Sequence, residues 1–155
     1  MGNVRRSWDD YYLDKCVFIR DERSTCIKHP HACILVIDNR EIASGYNGAM
    51  SGEQHCSIVG CLRPDSPSGT SLDKCRSFGV HDVQNALYSA ARLGICTKGS
   101  TLYALESPCM ACCAALVHAG IVRVVFKKVY EGYPQGPDVL RKKGIVVLHQ
   151  HGFED

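Results

Sequence analysis

The chain has 155 residues, 45% of them apolar and 22% charged, with 18 Lys and Arg against 16 Asp and Glu for a net charge of +2. That length can bury one sizeable core, so a single domain spanning residues 1–155 is expected, with a balance ordinary for a soluble globular protein. So small a positive surplus argues against a nucleic-acid partner, and the lack of an 18-residue apolar run or of an apolar stretch after residues 1–6 argues against a membrane span or signal peptide, so a cytoplasmic location is expected.

Ser7-Trp8-Asp9-Asp10 resembles a capping box, with Asp in place of the usual Glu. Trp8, Tyr12, Cys16 and Ile19 then recur at helical spacing, which predicts a helix over residues 8–22. The continuous apolar run 32–37 predicts a buried strand. Asp38-Asn39-Arg40 is a turn, and residues 41–46 are the returning strand. A loop containing Gly, Ser and Pro covers about 47–74. A helix runs from near Val80 to Leu93 and stops at Gly94. A strand over 101–105 follows, then a helix opened by Pro108 and running to about Ala119. The last elements are a strand at 122–126, a short helix at 138–143 and a strand at 145–148. This order predicts one mixed sheet with helices on both faces.

Ten cysteines without an export signal point to metal ligands and buried thiols rather than a disulfide framework. Cys109 and Cys112 form Pro108-Cys109-Met110-Ala111-Cys112 at a helix start, where free N–H groups and the helix dipole favour thiolates. Taken alone, this pair also fits a redox couple or two buried thiols. His81, at the start of its own helix, favours metal. One histidine plus Pro-Cys-x-x-Cys is how zinc deaminases hold their ion, with a fourth position left for water. In that pattern the histidine opens His-x-Glu, whose Glu shuttles protons. Here the sequence is His81-Asp82-Val83, and Val83 has no proton to give or take.

A second group, Cys26, Cys56, Cys61 and Cys75, with His55 beside Cys56, fits a closed structural zinc pinning the loop insertion at about 47–76. Scattered buried thiols are the competing reading. Two zinc ions per chain are therefore expected. Cys16, Cys33, Cys96 and Cys113 read as core or incidental thiols.

With these motifs in order, the chain resembles the deoxycytidylate (dCMP) deaminase family, in its bacterial and phage branch. The likeness rests on Arg23-Ser24-Thr25-Cys26, Gly45-Tyr46-Asn47-Gly48 with Ser51-Gly52, and His55-Cys56 through Gly60-Cys61-Leu62-Arg63. It continues in Cys75-Arg76, Gln84-Asn85-Ala86-Leu87, Ala90-Ala91, Thr101-Leu102-Tyr103, Pro108-Cys109, Gly120-Ile121 and Tyr130. The resemblance implies a three-layer α/β/α cytidine-deaminase-like sandwich around a five-stranded mixed sheet. It implies hydrolysis of dCMP at C4 to dUMP and ammonia, a homo-oligomer and a regulatory nucleoside triphosphate. By matching positions, Asn47 would contact the nucleotide sugar and Tyr130 would sit near the base. The chain departs from the family at Val83, in the stretch Ser77-Phe78-Gly79-Val80 ahead of His81, at His31-Ala32-Cys33 where the family has Val-Gly-Ala, and at Met50 in place of the loop proline.

The missing Glu leaves two readings. The first is a dCMP deaminase, slow or inactive unless Asp82 substitutes. Adjacent helical residues point about 100° apart, so Asp82 needs a distorted helix start to do so. The second is a non-catalytic nucleotide-binding or regulatory subunit. It resembles, in that substitution alone, the inactive partner of two-subunit tRNA deaminases.

Overall fold

The structure, a computed structural model, describes residues 4–76 and 81–150. The expected helix start at Val80 and the departure at Ser77-Phe78-Gly79-Val80 lie outside the described residues. The elements run α1 (Trp8–Arg23), β1 (Ala32–Ile37), β2 (Arg40–Tyr46), α2 (Cys56–Val59), a 3-10 turn (Leu72–Lys74), α3 (Asp82–Arg92), β3 (Thr101–Glu106), α4 (Met110–His118), β4 (Arg123–Lys128), α5 (Gly136–Lys142) and β5 (Val146–His149).

The five strands form one sheet in the order β2-β1-β3-β4-β5. β1 is antiparallel to both β2 and β3, whereas β3, β4 and β5 run parallel. Alternation along the strands divides the core in two. Ile34, Val36, Tyr103, Leu105 and Val125 pack with Tyr12, Leu13 and Cys16 of α1. On the other face, Cys33, Leu35, Leu102, Ala104, Val124 and Phe126 pack with Val83 and Ala86 of α3, Cys112 and Leu116 of α4, and Leu140 of α5. Helices thus cover both faces of a mixed five-stranded sheet, as the sequence predicts.

Local chemistry explains the element boundaries. Ser7 caps α1 by accepting the Asp10 N–H on its hydroxyl at 3.1 Å. Asp38 and Asn39 take left-handed backbone, φ 49° and 57°, the conformation of a two-residue hairpin turn. The buried stripe of α1 differs from the expected one. Tyr12, Leu13 and Cys16 are buried, while Trp8 is 41% exposed. Trp8 instead lies over Tyr12, ring centroids 5.8 Å apart. The helix after Pro108 also starts later than expected, because Cys109 is extended (φ −68°, ψ 173°) and caps a helix that begins at Met110.

One close approach fixes the functional end of the molecule. A Cβ on Gly45 in β2 would stand 2.1 Å from the Asp82 carbonyl oxygen and 2.5 Å from the Ala86 nitrogen. Glycine here lets the first turn of α3 lie directly on the sheet, and that turn carries His81.

Candidate metal centre

His81 caps the N-terminus of α3 and Cys109 caps that of α4, with Cys112 in the first turn of α4. The two helix starts meet over the same sheet face. The His81 Nδ1 lies 3.4 Å from the Cys109 sulfur and 3.6 Å from the Cys112 sulfur. All three donor atoms lie within 4.8 Å of one another. Bonds of about 2.05 Å to nitrogen and 2.3 Å to sulfur, opened at the tetrahedral angle, put N and S about 3.6 Å apart. The triangle therefore has the dimensions of three corners of a zinc tetrahedron. Its charges follow from the same contacts. The Cys112 thiol and His81 donate to the Cys109 sulfur and hold its pKa well below the ordinary thiol value. That bond to Cys109, together with burial, pushes Cys112 up. The bond to Cys109 also raises His81.

The triangle lies in a cleft of about 790 Å³, part of it open to solvent. Asp82, Val83, Asn47 and Tyr130 line this cleft, so the expected substrate-facing positions do converge there. Val83 is 2% exposed and belongs to the apolar cluster under α3. Asp82 opens α3, where the Val83 amide bonds its carboxylate, but burial dominates and pushes its pKa up to about 6. Asn47 is 8% exposed. Its Oδ1 accepts the Ser24 hydroxyl at 2.6 Å and the His31 N–H at 2.8 Å, and its Nδ2 donates to the His29 carbonyl at 2.6 Å. One amide hydrogen of Asn47 remains for a ligand. The Tyr130 N–H donates to the Ser107 hydroxyl at 2.9 Å, which ties Tyr130 to the end of β3.

Among the lining residues, the sequence reading gave no role to His29, His31, Arg63 and Glu106. Arg63 is 9% exposed, donates one Nη to the Thr70 carbonyl at 3.0 Å, and has a buried Nε with no partner among the described residues. The Gly60-Cys61-Leu62-Arg63 motif contained this residue, but not its burial. Lys28, which donates to the carbonyls of Arg63, Pro64 and Ser66, fastens the Arg63 turn to the segment before β1.

The upstream cysteines are neighbours but less closely assembled. Cys56 is buried at the start of α2, and Cys26, Cys75 and Cys61 come near enough to reinforce the burial that raises its pKa. Among the described residues, the one group of three or more donors within 4.8 Å of one another is that of His81, Cys109 and Cys112. All ten cysteines are free thiols. Cys16, Cys33 and Cys113 are buried in the core, and Cys96 is exposed. No helix among the described residues is long and apolar enough to cross a membrane.

Comparison with known proteins places this geometry. Residues 6–128 match the model of the cytidine and deoxycytidylate deaminase zinc-binding region. The chain is 32% identical to ComE operon protein 2 of Bacillus subtilis, over 92% of this chain and 71% of that protein. It is 34% identical to the deoxycytidylate deaminase of Schizosaccharomyces pombe over 93% of this chain, but spans only 44% of the yeast protein. The deoxycytidylate deaminase of Mycobacterium phage D29 is 33% identical over 80% of this chain and 97% of its own length. In fold, the chain is similar to the dCMP deaminase of cyanophage S-TIM5 solved with dCMP and dUMP, with a TM-score of 0.74 at 24% identity, covering 96% of this chain and 100% of that one. The three donors of the triangle lie within the matched span, and the chain belongs to the cytidine and deoxycytidylate deaminase zinc-binding family.

Proposed function

We propose that this protein binds zinc on His81, Cys109 and Cys112 and acts on dCMP, hydrolysing it to dUMP and ammonia, with turnover depressed because Val83 stands where the family's proton-shuttling Glu belongs. The observation that carries this reading is the donor triangle at 3.4 and 3.6 Å in a cleft that also holds Asn47, Tyr130 and Arg63. Bound zinc would supply a Lewis acid that makes water nucleophilic near neutral pH. Around it, Asn47 offers an N–H to the sugar and Tyr130 flanks the base. The unspent donors of Arg63 suit a phosphate, since guanidinium–phosphate bonds are among the strongest available to a protein. General acid–base catalysis contributes about 10²–10⁴-fold, so losing one group that serves two proton transfers weakens turnover at least that much.

The deciding experiment assays dCMP deamination by the wild type beside Val83→Glu, with zinc measured on both. The expected result is equal zinc and at least about 100-fold faster turnover in Val83→Glu. Ordinary turnover by the wild type, abolished by Asp82→Asn, would instead make Asp82 the substitute. The second reading, a non-catalytic nucleotide-binding or regulatory subunit, is favoured by the burial of Val83 as core. It predicts dCMP binding without turnover in the wild type and in Val83→Glu alike.

The same proposal includes a single domain over residues 1–155 whose loop, about 47–76, is pinned by a second zinc on Cys26, Cys56, Cys61 and Cys75. The crowding of three of these thiols on the fourth supports it. A reducing compartment, the cytoplasm, suits ten free thiols. Self-association is supported by Tyr11 and Phe18 on α1, 49% and 65% exposed. It is tested by sedimentation with and without a nucleoside triphosphate, the effector that belongs to this reading.

A further inference from the structure

The β1–β3 register leads to a pair of side chains that the reading above leaves unused. Cys33 stands opposite Ala104, and Ile34 opposite Tyr103, in antiparallel pairing. Continued by two residues, this register sets His31 across from Glu106. The side chains meet there, His31 Nε2 lying 3.4 Å from Glu106 Oε2. Residues two apart on a strand share a face. Glu106 therefore follows Leu102 and Ala104, and His31 follows Cys33 and Leu35, on the face that packs against Val83 and Cys112. Both line the same cleft as His81 and Cys109. Each side chain is 21% exposed, withdrawn from bulk water but open to the cleft.

We propose that Glu106 carries the protons of the deamination, with His31 positioning its carboxylate, at the floor of a site that has only Val83 in the usual place. The proposal rests on reading the site as a dCMP deaminase. In the reaction, the water oxygen bonds to C4 and Glu106 takes one water proton and delivers it to N3. The second proton passes from the new hydroxyl, through Glu106, to the exocyclic nitrogen. The C4–N bond then breaks with its electron pair on nitrogen. Ammonia leaves, a carbonyl remains at C4, and Glu106 ends unprotonated, as it began.

The surroundings suit that work. Burial raises the proton affinity of Glu106, with Asp82 and Glu131 adding to the rise and Lys128, 4.0 Å away, opposing it. Burial holds His31 down at about 4, helped by His29, Arg20, His81 and Lys128. Near neutral pH His31 is thus an uncharged imidazole beside a carboxylate. Asp82 is less available, because its carboxylate accepts the Val83 N–H at the start of α3.

The test uses the zinc-loaded full chain and compares Glu106→Gln, Asp82→Asn, His31→Gln and Val83→Glu. Glu106→Gln is expected to lower kcat on dCMP at least about 100-fold, with zinc content unchanged and KM within about threefold. Asp82→Asn is expected to lose much less turnover than Glu106→Gln, and an equal loss would move the proton carrier to Asp82 and overturn the proposal. His31→Gln is expected to retain turnover but move the acid limb of the kcat–pH profile. Nitrogen-15 NMR at neutral pH is expected to find His31 uncharged, with its proton on Nε2, in wild type and Glu106→Gln alike. Wild-type turnover that survives Glu106→Gln overturns the proposal while leaving the site reading intact. So does a silent wild type beside an active Val83→Glu, or a His31 proton on Nδ1. If wild type and Val83→Glu are both silent and dCMP does not bind, the site reading itself fails and the proposal falls with it.

Discussion

Val83 and Asp82 stand side by side at the start of α3 with opposite characters. Val83 is 2% exposed and counts among the apolar residues under α3. Asp82 supplies a negative charge at the helix N-terminus, where it is favoured. Placing a Glu at position 83 therefore has a structural consequence. A carboxylate there replaces core methyl groups and must be desolvated, which costs about 1–3 kcal/mol when no partner is supplied. Val83→Glu is expected to be the faster enzyme and the less stable protein, a difference that urea titration of the zinc-loaded forms measures. Equal or greater stability would mean that Val83 is not core. Arg63 gives a second prediction at this scale. Its buried Nε has no partner among the described residues, so an anion in the cleft would meet a donor not already engaged. Arg63→Gln should reduce the preference for dCMP over deoxycytidine about tenfold, the effect of losing roughly 1.4 kcal/mol. Calorimetric titration of both ligands checks it, and an unchanged ratio would place the phosphate elsewhere.

Among the elements, β1 was legible residue for residue because its apolar run is bounded by a proline-containing segment and a two-residue turn. The order of the five strands and of α1, α3, α4 and α5 was legible for a similar reason, with Gly94 and Gly120 following the ends of α3 and α4, whereas α2 and the 3-10 turn lie in the stretch expected to be a loop. The face of α1 was not. Trp8 and Ile19 fit the helical period, yet Leu13 takes the buried position while Trp8 lies outside on Tyr12. Large aromatic rings can satisfy the same period by stacking on a neighbour. Nor did the sequence reveal the contact between α3 and β2. Gly45 read as part of a loop motif, whereas its missing side chain is what admits the Asp82 carbonyl. Gly45→Ala is thus expected to lift the first turn of α3 from the sheet. The cost is about 1–3 kcal/mol of stability from overpacking. Because His81 moves with that turn, zinc affinity should fall as well, and competition with a chromogenic chelator measures it. A stable Gly45→Ala with normal zinc affinity would show that the turn yields without displacing His81.

For the whole molecule, the meeting of His81, Cys109 and Cys112 was legible and the floor of the cleft was not. Cysteine pairs and a helix-capping histidine carry their chemistry in their spacing. His31 and Glu106 are 75 positions apart and meet only through the register of β1 on β3. That meeting also affects stability. His31 has an ordinary pKa of 6.5, and burial lowers it to about 4 in the fold. Between those values the unfolded chain binds a proton that the folded chain does not, so stability rises with pH across the window and is lost as pH falls from about 6.5 to about 4. The full shift corresponds to about 3 kcal/mol, an upper figure because the Glu106 carboxylate opposes it. Asp9 acts lower on the scale. Its bonds to Arg123 at 2.6 and 2.9 Å hold its carboxyl below the ordinary value, so its contribution is present above about pH 4 and fades below. Loss of zinc in acid affects every variant alike, so the difference between wild type and His31→Gln isolates the histidine. Urea midpoints measured from pH 7 to pH 4 should fall more steeply for wild type than for His31→Gln, the two curves separating below about pH 6.5. Parallel curves would mean that His31 takes up its proton in the folded protein, with Glu106 as its charged partner.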